Sequence, residues 1–226
     1  MRKLVVNTFL SMDGVMQAPG GPEEDPTGGF VNGGWSVNYW DETMMKIMNE
    51  AIAKPYDLLL GRKTYEIFAA HWPFVKNDPD VLNQMAADRL NGATKYVVSK
   101  TLSKLEWQNS ILIANDVANE IAKIKKQEGS EIQVHGSSNL IQTVLKNNLA
   151  DEIRMWIFPV VLGGGKRLFG NGALSGAWKL TDSKISSSGV IIAVYERDGE
   201  IQKGSAALET PTDAEIARRR KIQQEG

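Results

Sequence analysis

Leu-Leu-Leu-Gly-Arg-Lys-Thr-Tyr, residues 58–65, is the stretch that decides the fold. Its three leucines form the apolar run of a buried strand, and the run stops at Gly61 before two cations and a hydroxyl. This order predicts a strand that opens into a helix N-terminus, where free backbone N–H groups and positive charge hold a phosphate. An ordinary strand-to-helix turn with surface cations fits the same residues, and the segment alone does not decide between the two.

A second glycine-rich segment lies about a hundred residues further along the chain. Residues 160–169, Val-Val-Leu-Gly-Gly-Gly-Lys-Arg-Leu-Phe, form an apolar strand that breaks at Gly163, Gly164 and Gly165. Glycines at such a break let the backbone approach a flat ligand closely. The segment lacks the last glycine of the dinucleotide-binding fingerprint, and it does not have the spacing of a P-loop. It therefore predicts a backbone contact with a cofactor or planar substrate.

Composition narrows the possible functions. The chain has 226 residues and a net charge of -1, so no global charge favours nucleic acid or an anionic membrane. No apolar stretch approaches the roughly 20 residues that span a bilayer. The chain has no cysteine and only two histidines, which argues against thiolate catalysis and a metal site. We expect a cytoplasmic protein without a metal.

Strand and helix patterns alternate along most of the chain. This alternation predicts an α/β fold with a mainly parallel central sheet, helices on both faces and an antiparallel C-terminal hairpin. The expected domain covers residues 1–197, and residues 198–226 form a polar tail with a short basic helix that begins near Thr212. An exposed apolar edge beside the hairpin favours a homodimer. The predicted strands are 3–10, 57–60, 94–99, 110–114, 131–134 and 151–162, with the hairpin at 179–186 and 190–197.

Two further turns resemble the first in chemistry. Ser99 and Lys100 end a strand with a hydroxyl and a cation, which suits a ribose 2′-phosphate and favours NADPH over NADH. A strand, a glycine and two hydroxyl residues recur at Gly136, Ser137 and Ser138, where a pyrophosphate can approach. A surface lysine is a common alternative at Lys100, and taken alone the turn at Gly136 is better explained as a standard helix cap. The candidate phosphate-binding residues are therefore Gly61, Arg62, Lys63, Thr64, Ser99, Lys100, Gly136, Ser137 and Ser138.

With these motifs in order, the chain resembles the dihydrofolate reductase-like superfamily. It is most similar to the branch that contains the C-terminal reductase domain of the riboflavin-biosynthesis deaminase/reductase. The matching segments run from about residue 3 to 197: residues 11–14, 60–65, 97–100, 136–140 with His135 before them, and 159–169. No single segment is decisive, and their shared order carries the resemblance.

The resemblance implies a three-layer NADPH-binding fold that passes hydride from nicotinamide to a planar heterocycle similar to a pteridine or a pyrimidine. Gly61 to Thr64 would hold the adenosine phosphates, Ser99 and Lys100 would lie near the 2′-phosphate, and Gly136 to Ser138 would face the pyrophosphate. The Ser11–Val15 segment would lie by the nicotinamide, and Gly163 to Gly165 would approach cofactor or substrate. Residues 19–34, rich in glycine and proline, would cover the pocket, although a disordered loop fits them nearly as well.

The sequence departs from the pattern on the substrate side. A dihydrofolate reductase anchors its substrate with a carboxylate in the first helix, where this chain offers Asp41 as a candidate, while Glu42 suits the helix dipole. Any proton would come from bound water, Asp13 or Asp41. Two other functions stay open, a non-catalytic nucleotide-binding dimer that keeps the cofactor site and a flavin-using reductase. Trp35, Trp40 and Trp72 either stack on a substrate or pack in the core.

Overall fold

The computed structural model describes residues 1–170 and 175–225. Within these residues the chain forms eight strands and six α-helices. The strands are β1 (Leu4–Ser11), β2 (Tyr56–Gly61), β3 (Lys95–Val98), β4 (Ser110–Ile113), β5 (Glu131–Gly136), β6 (Glu152–Phe158), β7 (Trp178–Ile185) and β8 (Ile191–Arg197). The helices are α1 (Glu42–Ala53), α2 (Arg62–Ala69), α3 (Val81–Gly92), α4 (Val117–Lys126), α5 (Ser138–Lys146) and α6 (Asp213–Glu225).

The eight strands form one sheet in the order β4-β3-β2-β5-β1-β6-β8-β7. Strands β1 to β6 run parallel, and β8 is antiparallel to both of its neighbours. This arrangement confirms the predicted α/β fold with its antiparallel C-terminal hairpin. The central strands are covered on both faces, so Leu4, Val5 and Val6 of β1 have no exposed surface.

The three leucines of β2 show how both faces of the sheet are covered. Leu58 and Leu60 pack with Tyr65 of α2 and Leu90 of α3. Leu59 belongs to the cluster that α4 and α5 complete on the opposite face. Successive side chains of a strand alternate between the two faces, which is why an uninterrupted apolar run needs an apolar layer on each side. Full burial of one leucine contributes about 1.5–3 kcal/mol relative to exposure.

The predicted strand ends lie within two residues of the observed ones with one exception. The strand predicted over 151–162 ends at Phe158, because Pro159 has no N–H to donate to the sheet. Asp78 and Pro79 also have the sequence of a helix start, but helix α3 begins at Val81. Its N-cap is Asp80, whose carboxylate accepts a hydrogen bond from the Leu82 backbone N–H at 2.9 Å. A missing backbone donor sets the first boundary, and a capping side chain sets the second.

The chain after β8 has its own local contacts. Helix α6 follows Thr212, whose hydroxyl accepts a hydrogen bond from the Glu215 N–H at 3.3 Å, and Glu215 also pairs with Arg218 and Arg219. All described residues of α6 lie at least partly in solvent. None of the helices in the described ranges is long and apolar enough to cross a membrane.

Candidate functional site

A cleft of about 1290 Å³ opens at the carboxyl ends of the central parallel strands. This is the edge at which open α/β sheets bind their ligands. Its walls come from β1, from residues 16–25 of the loop that follows, from α1, α2 and α3, and from the turns after β2, β3 and β5. The predicted residues that line it are Gly61, Arg62, Lys63, Thr64, Ser99, Lys100, Gly136, Ser137 and Ser138.

The turns after β2 and β5 lock into each other. A Cβ atom on Gly61 would lie 2.8 Å from the Ser137 backbone nitrogen, and a Cβ on Gly136 would collide with the Thr64 hydroxyl oxygen. Gly61 therefore requires glycine because the Ser137 backbone lies against it, and Gly136 because the Thr64 side chain does. Gly136 also has a positive φ of 159°. The two helix N-termini consequently lie side by side on the cleft wall.

Ser99 holds the third turn, which follows β3, in place. The Ser99 hydroxyl accepts hydrogen bonds from the backbone N–H groups of Thr101 at 3.1 Å and Leu102 at 3.0 Å. Lys100 follows as an exposed residue on the cleft wall. The serine thus fixes the turn, while the lysine supplies the charge.

The cations at the start of α2 have different partners. Arg62 forms an exposed ion pair with Glu66 one turn along the helix, 3.3 Å from Nη1 to Oε1. Such a surface pair contributes at most about 0.5 kcal/mol, so the guanidinium is easily redirected to a ligand. The Lys63 amine instead lies 3.4 Å from the carboxylate of Asp25, a residue of the loop after β1.

The glycines of the second segment lie elsewhere. Gly164 and Gly165 line a separate cavity of about 510 Å³ against residues 27–32. Gly165 has a φ of 122°, and a Cβ there would lie 2.6 Å from a methyl carbon of Val15 and 3.0 Å from the ring of Phe30. The structure therefore uses this glycine to pack two loops together and does not bring Gly163, Gly164 or Gly165 to the large cleft. Lys166, the next residue, does line that cleft.

Asp13 joins the β1 loop to the glycine segment. Its carboxylate accepts hydrogen bonds from the Ser11 hydroxyl at 2.6 Å and from the N–H groups of Leu162 at 3.1 Å and Gly163 at 3.0 Å. Arg167 adds an ion pair at 3.2 Å. The Ser11 and Leu162 hydrogen bonds lower the pKa of Asp13 to about 2. The side chain lies outside the cleft lining and is ionised at neutral pH, so the geometry does not support its predicted role as a proton donor.

Asp41 likewise connects two elements. It caps α1 by accepting from the Met44 N–H at 2.9 Å, and its second oxygen accepts from the Ser187 hydroxyl at 2.8 Å and the Ser188 N–H at 3.0 Å. The hydrogen bond from Met44 and those from the serines hold the pKa of this carboxyl well below its ordinary value. Asp41 does not line the cleft, so the geometry supports neither substrate anchoring nor proton donation by this residue.

The three tryptophans divide between core and cleft. Trp35 packs edge-on against Phe158, with 5.3 Å between the ring centroids, and donates its Nε1–H to the backbone carbonyl oxygen of Gln17 at 2.8 Å. Trp40 and Trp72 contribute to the cleft lining. Only the latter two are positioned to sense a ligand.

A polar row on β5 was missed from the sequence. Arg154 of β6 pairs twice with Glu131, at 2.8 and 2.9 Å, and the Gln133 amide donates to the same carboxylate at 2.7 Å. This leaves the Gln133 carbonyl oxygen to accept from His135 Nε2 at 3.0 Å. The Glu-x-Gln-x-His spacing, which places three polar side chains on one face of a strand, was the available signal.

The row fixes the state of His135 at the cleft. Burial, helped by the charge of Arg154, lowers the pKa of His135 to about 4, so its ring is neutral at pH 7. Because Nε2 donates to Gln133, the neutral ring keeps its proton there and Nδ1 is an acceptor. His135 also lies 6.2 Å from the ring of Phe68 and belongs to the cleft lining. The site therefore contains a neutral, oriented imidazole.

Comparison with solved structures shows the same fold elsewhere. Dihydrofolate reductase from Enterococcus faecalis, complexed with NADP(H) and RAB-propyl, aligns with a TM-score of 0.53 at 14% identity over 87% of this chain and 96% of that one. A pyrimidine reductase-like protein from Corynebacterium diphtheriae NCTC aligns with a TM-score of 0.58 at 12% identity, covering 88% of this chain and 93% of that one. At these identities the likeness concerns the fold alone.

Sequence comparison gives the family. The uncharacterized protein YyaP of Bacillus subtilis (strain 168) is 29% identical over 199 residues, which cover 88% of this chain and 96% of that protein. The model of the RibD C-terminal domain matches residues 2–192. The predicted resemblance is thereby confirmed, and the chain belongs to the RibD C-terminal domain family, whose fold is that of the dihydrofolate reductases.

Proposed function

We propose that this protein is an NADPH-dependent reductase that transfers a hydride to a planar heterocycle similar to a pteridine or a pyrimidine. The observation that carries the proposal is the convergence of three strand-end turns, Gly61–Thr64, Ser99–Lys100 and Gly136–Ser138, on the wall of one cleft. Membership of a reductase family and the fold shared with an NADP(H)-binding dihydrofolate reductase support it.

The cofactor half of the site would bind phosphates. The interlocked turns place the N-termini of α2 and α5 together, and helix N-termini attract phosphate through free N–H groups and their positive dipole ends. Arg62 and Lys100 would add charge for a 2′-phosphate, which distinguishes NADPH from NADH. When bound, the nicotinamide supplies the hydride, and the protein has to position it and exclude water.

The substrate half of the site is mainly apolar. Among the described lining residues, α1 contributes Met45, Met48 and Ile52 and no carboxylate, while Phe9 and Trp40 add aromatic surface. This lining suits the flat face of an uncharged ring. Nδ1 of His135 would accept a hydrogen bond from a ring N–H of the substrate. Because Asp13 and Asp41 are held in other contacts, bound water is the proposed source of any proton.

The missing carboxylate on α1 also favours a second candidate, a nucleotide-binding dimer without catalytic activity. A cofactor site without a substrate anchor is what such a protein would retain. Oxidation of NADPH by any pteridine or pyrimidine would exclude it. A yellow colour on purification would instead indicate a flavin-using reductase. The homodimer and the cytoplasmic location remain predictions.

The first test is a titration with NADPH and NADH that follows tryptophan fluorescence. Trp40 and Trp72 line the cleft, so bound nicotinamide should quench them. We expect NADPH to bind at least tenfold more tightly than NADH, and Arg62→Ala to weaken NADPH while leaving NADH nearly unchanged. Lys104→Ala is the matched control, since Lys104 is an exposed cation paired with Glu106 and outside the cleft lining. If neither nucleotide binds, the proposal fails.

A further inference from the structure

The loop after β1 places a carboxylate between two lysines at the cleft. Asp25 Oδ1 lies 3.4 Å from the amine of Lys63, and Asp25 Oδ2 contacts the amine of Lys166. The Thr27 hydroxyl donates to Asp25 at 2.5 Å and accepts from Lys63 at 3.0 Å and from Lys166 at 2.9 Å. Two cations from distant parts of the chain therefore converge on one anionic group.

This arrangement is built into the structure rather than a chance surface contact. The Asp25 side chain is only 14% exposed, compared with 39% and 34% for its two lysines. Gln17 fixes the loop backbone, because its side-chain amide donates hydrogen bonds to the backbone carbonyl oxygens of Asp25 at 2.8 Å and Thr27 at 2.9 Å. The side-chain oxygen Oε1 of Gln17 in turn accepts a hydrogen bond from the backbone N–H of Lys166 at 3.0 Å. Burial raises the pKa of Asp25, but the hydrogen bonds from Lys166 and Thr27 and the charges of both lysines outweigh it and lower this pKa to about 2.

The same two lysines face the predicted cofactor wall. Lys63 is the second residue of α2, two positions after Gly61. At Gly61 this helix meets the turn after β5. Both lysines and Asp25 line the large cleft. A lone carboxylate brings one negative charge to this pair, whereas a pyrophosphate or a 2′-phosphate brings up to two and more acceptor oxygens. A dinucleotide phosphate is therefore the stronger partner for the same cations.

We propose that Lys63 and Lys166 form an anion site that Asp25 fills while the loop is closed and that a dinucleotide phosphate takes over when the cofactor binds. This inference rests on the proposed function and adds Lys166 to the site and Asp25 as its internal competitor. Displacement of Asp25 releases the part of the loop around Asp25 from the cleft wall, while Phe30 stays packed against Gly165, so cofactor binding and local loop opening are coupled.

The test is the affinity of Asp25→Asn for NADPH, measured by titration calorimetry. Asparagine keeps the shape and removes the charge, so the lysines no longer have to exchange one anion for another. If the closed loop holds about 90% of the molecules, the variant binds NADPH about tenfold more tightly. Glu23→Gln is the matched control, because it removes one negative charge from an exposed position of the same loop. It should leave the affinity unchanged.

Lys166→Met separates the anion site from general effects on the loop. We expect this variant to bind NADPH about tenfold more weakly, and Asp25→Asn to bring no gain in its background. Hydrogen exchange in residues 19–34 should rise in the wild type when NADPH is added. A weaker affinity of Asp25→Asn, or equal gains from Asp25→Asn and Glu23→Gln, would overturn the inference.

The test also separates this inference from the proposed function. If NADPH binds the wild type and Asp25→Asn equally, the function stands and the competition is wrong. If NADPH binds no variant, the function and the exchange with a dinucleotide both fail. Pyrophosphate is then the probe. If it raises the melting temperature of Asp25→Asn but not of Asp25→Asn/Lys166→Met, what remains of the inference is an anion site between the lysines.

Discussion

The glycines of two strand-end turns, Gly61 and Gly136, and the glycine run at 163–165 each follow an apolar strand, but the structure uses them differently. At Gly61 and Gly136 the missing side chains let two neighbouring turns interlock at the cleft. At Gly165 the missing side chain lets the loop after β1 pack against the chain that follows β6. The first pair shapes the wall of the large cleft, and Gly165 closes a contact between two loops away from it. A glycine therefore indicates that something approaches the backbone, and only the three-dimensional structure shows which part of the protein does so and whether a cleft lies beside it.

The strongest way to break this comparison is Gly61→Ala. The new Cβ would lie 2.8 Å from the Ser137 backbone nitrogen, and backbone cannot move aside as a flexible side chain does. We expect a loss of about 1–3 kcal/mol in the free energy of unfolding, as for other overpacked sites, together with weaker NADPH binding. Urea unfolding and fluorescence titration measure the two effects.

Gly92→Ala is the control for this substitution. Gly92 ends α3, and a Cβ there would meet nothing within 4 Å. Removing a glycine from such a position stabilises a protein by up to about 1 kcal/mol. Equal behaviour of the two variants would mean that the turns after β2 and β5 are not interlocked.

A second variant, Asp13→Asn, tests the contact between the two loops. An asparagine cannot accept from Leu162, Gly163 and Arg167 as the carboxylate does, so backbone N–H groups lose partners. We expect a loss of about 1–2 kcal/mol in the free energy of unfolding at pH 7. Asp182→Asn on the exposed strand β7 should change it much less.

The effect of Asp13→Asn should depend on pH in a defined direction. The pKa of Asp13 is about 2 in the folded protein and 3.8 ordinarily. A lowered pKa stabilises the fold above the ordinary value, and the stabilisation disappears as the pH falls from about 4 to 2. The difference between wild type and variant should therefore shrink over this window. If the variant instead lost the limb of the pH–rate profile on which the rate falls as the pH rises, Asp13 would be restored as a proton donor.

The sequence was sufficient where the partners of a residue are close along the chain or are set by the sheet. Leu58 to Leu60 predicted a buried strand, and Gly61 and Gly136 predicted turns at strand ends. The sheet order then brought those turns together, since β2 and β5 are adjacent. Strand alternation and turn chemistry are local signals, and one sheet edge collects whatever follows its strands.

The sequence was insufficient where a polar group binds across the fold. Asp13 and Asp41 carry the residue type of a proton donor, but each also has a partner about 150 positions away, at Gly163 and Ser188. Nothing local distinguishes a carboxylate that donates a proton from one that accepts several hydrogen bonds. The pair of Asp25 and Lys166 was missed for the same reason, because 141 positions separate them. Charge partners at such distances become visible only once the loops are placed.

The smallest effect on stability is expected from removal of the C-terminal tail. Among the described residues, the hydrogen bonds and ion pairs of α6 join positions close along the chain. Glu215 bonds to Thr212, Arg218 and Arg219, all within four positions, and no described residue of α6 is buried. Removing residues 204–226 keeps the contacts of Gly199 and Asp198 with Ala177. We expect the melting temperature to change by less than about 2 °C, which for a chain of this size is under 1 kcal/mol, and NADPH affinity to stay the same. A larger shift by calorimetry would mean that α6 docks on the domain, and the boundary at residue 197 would then be wrong.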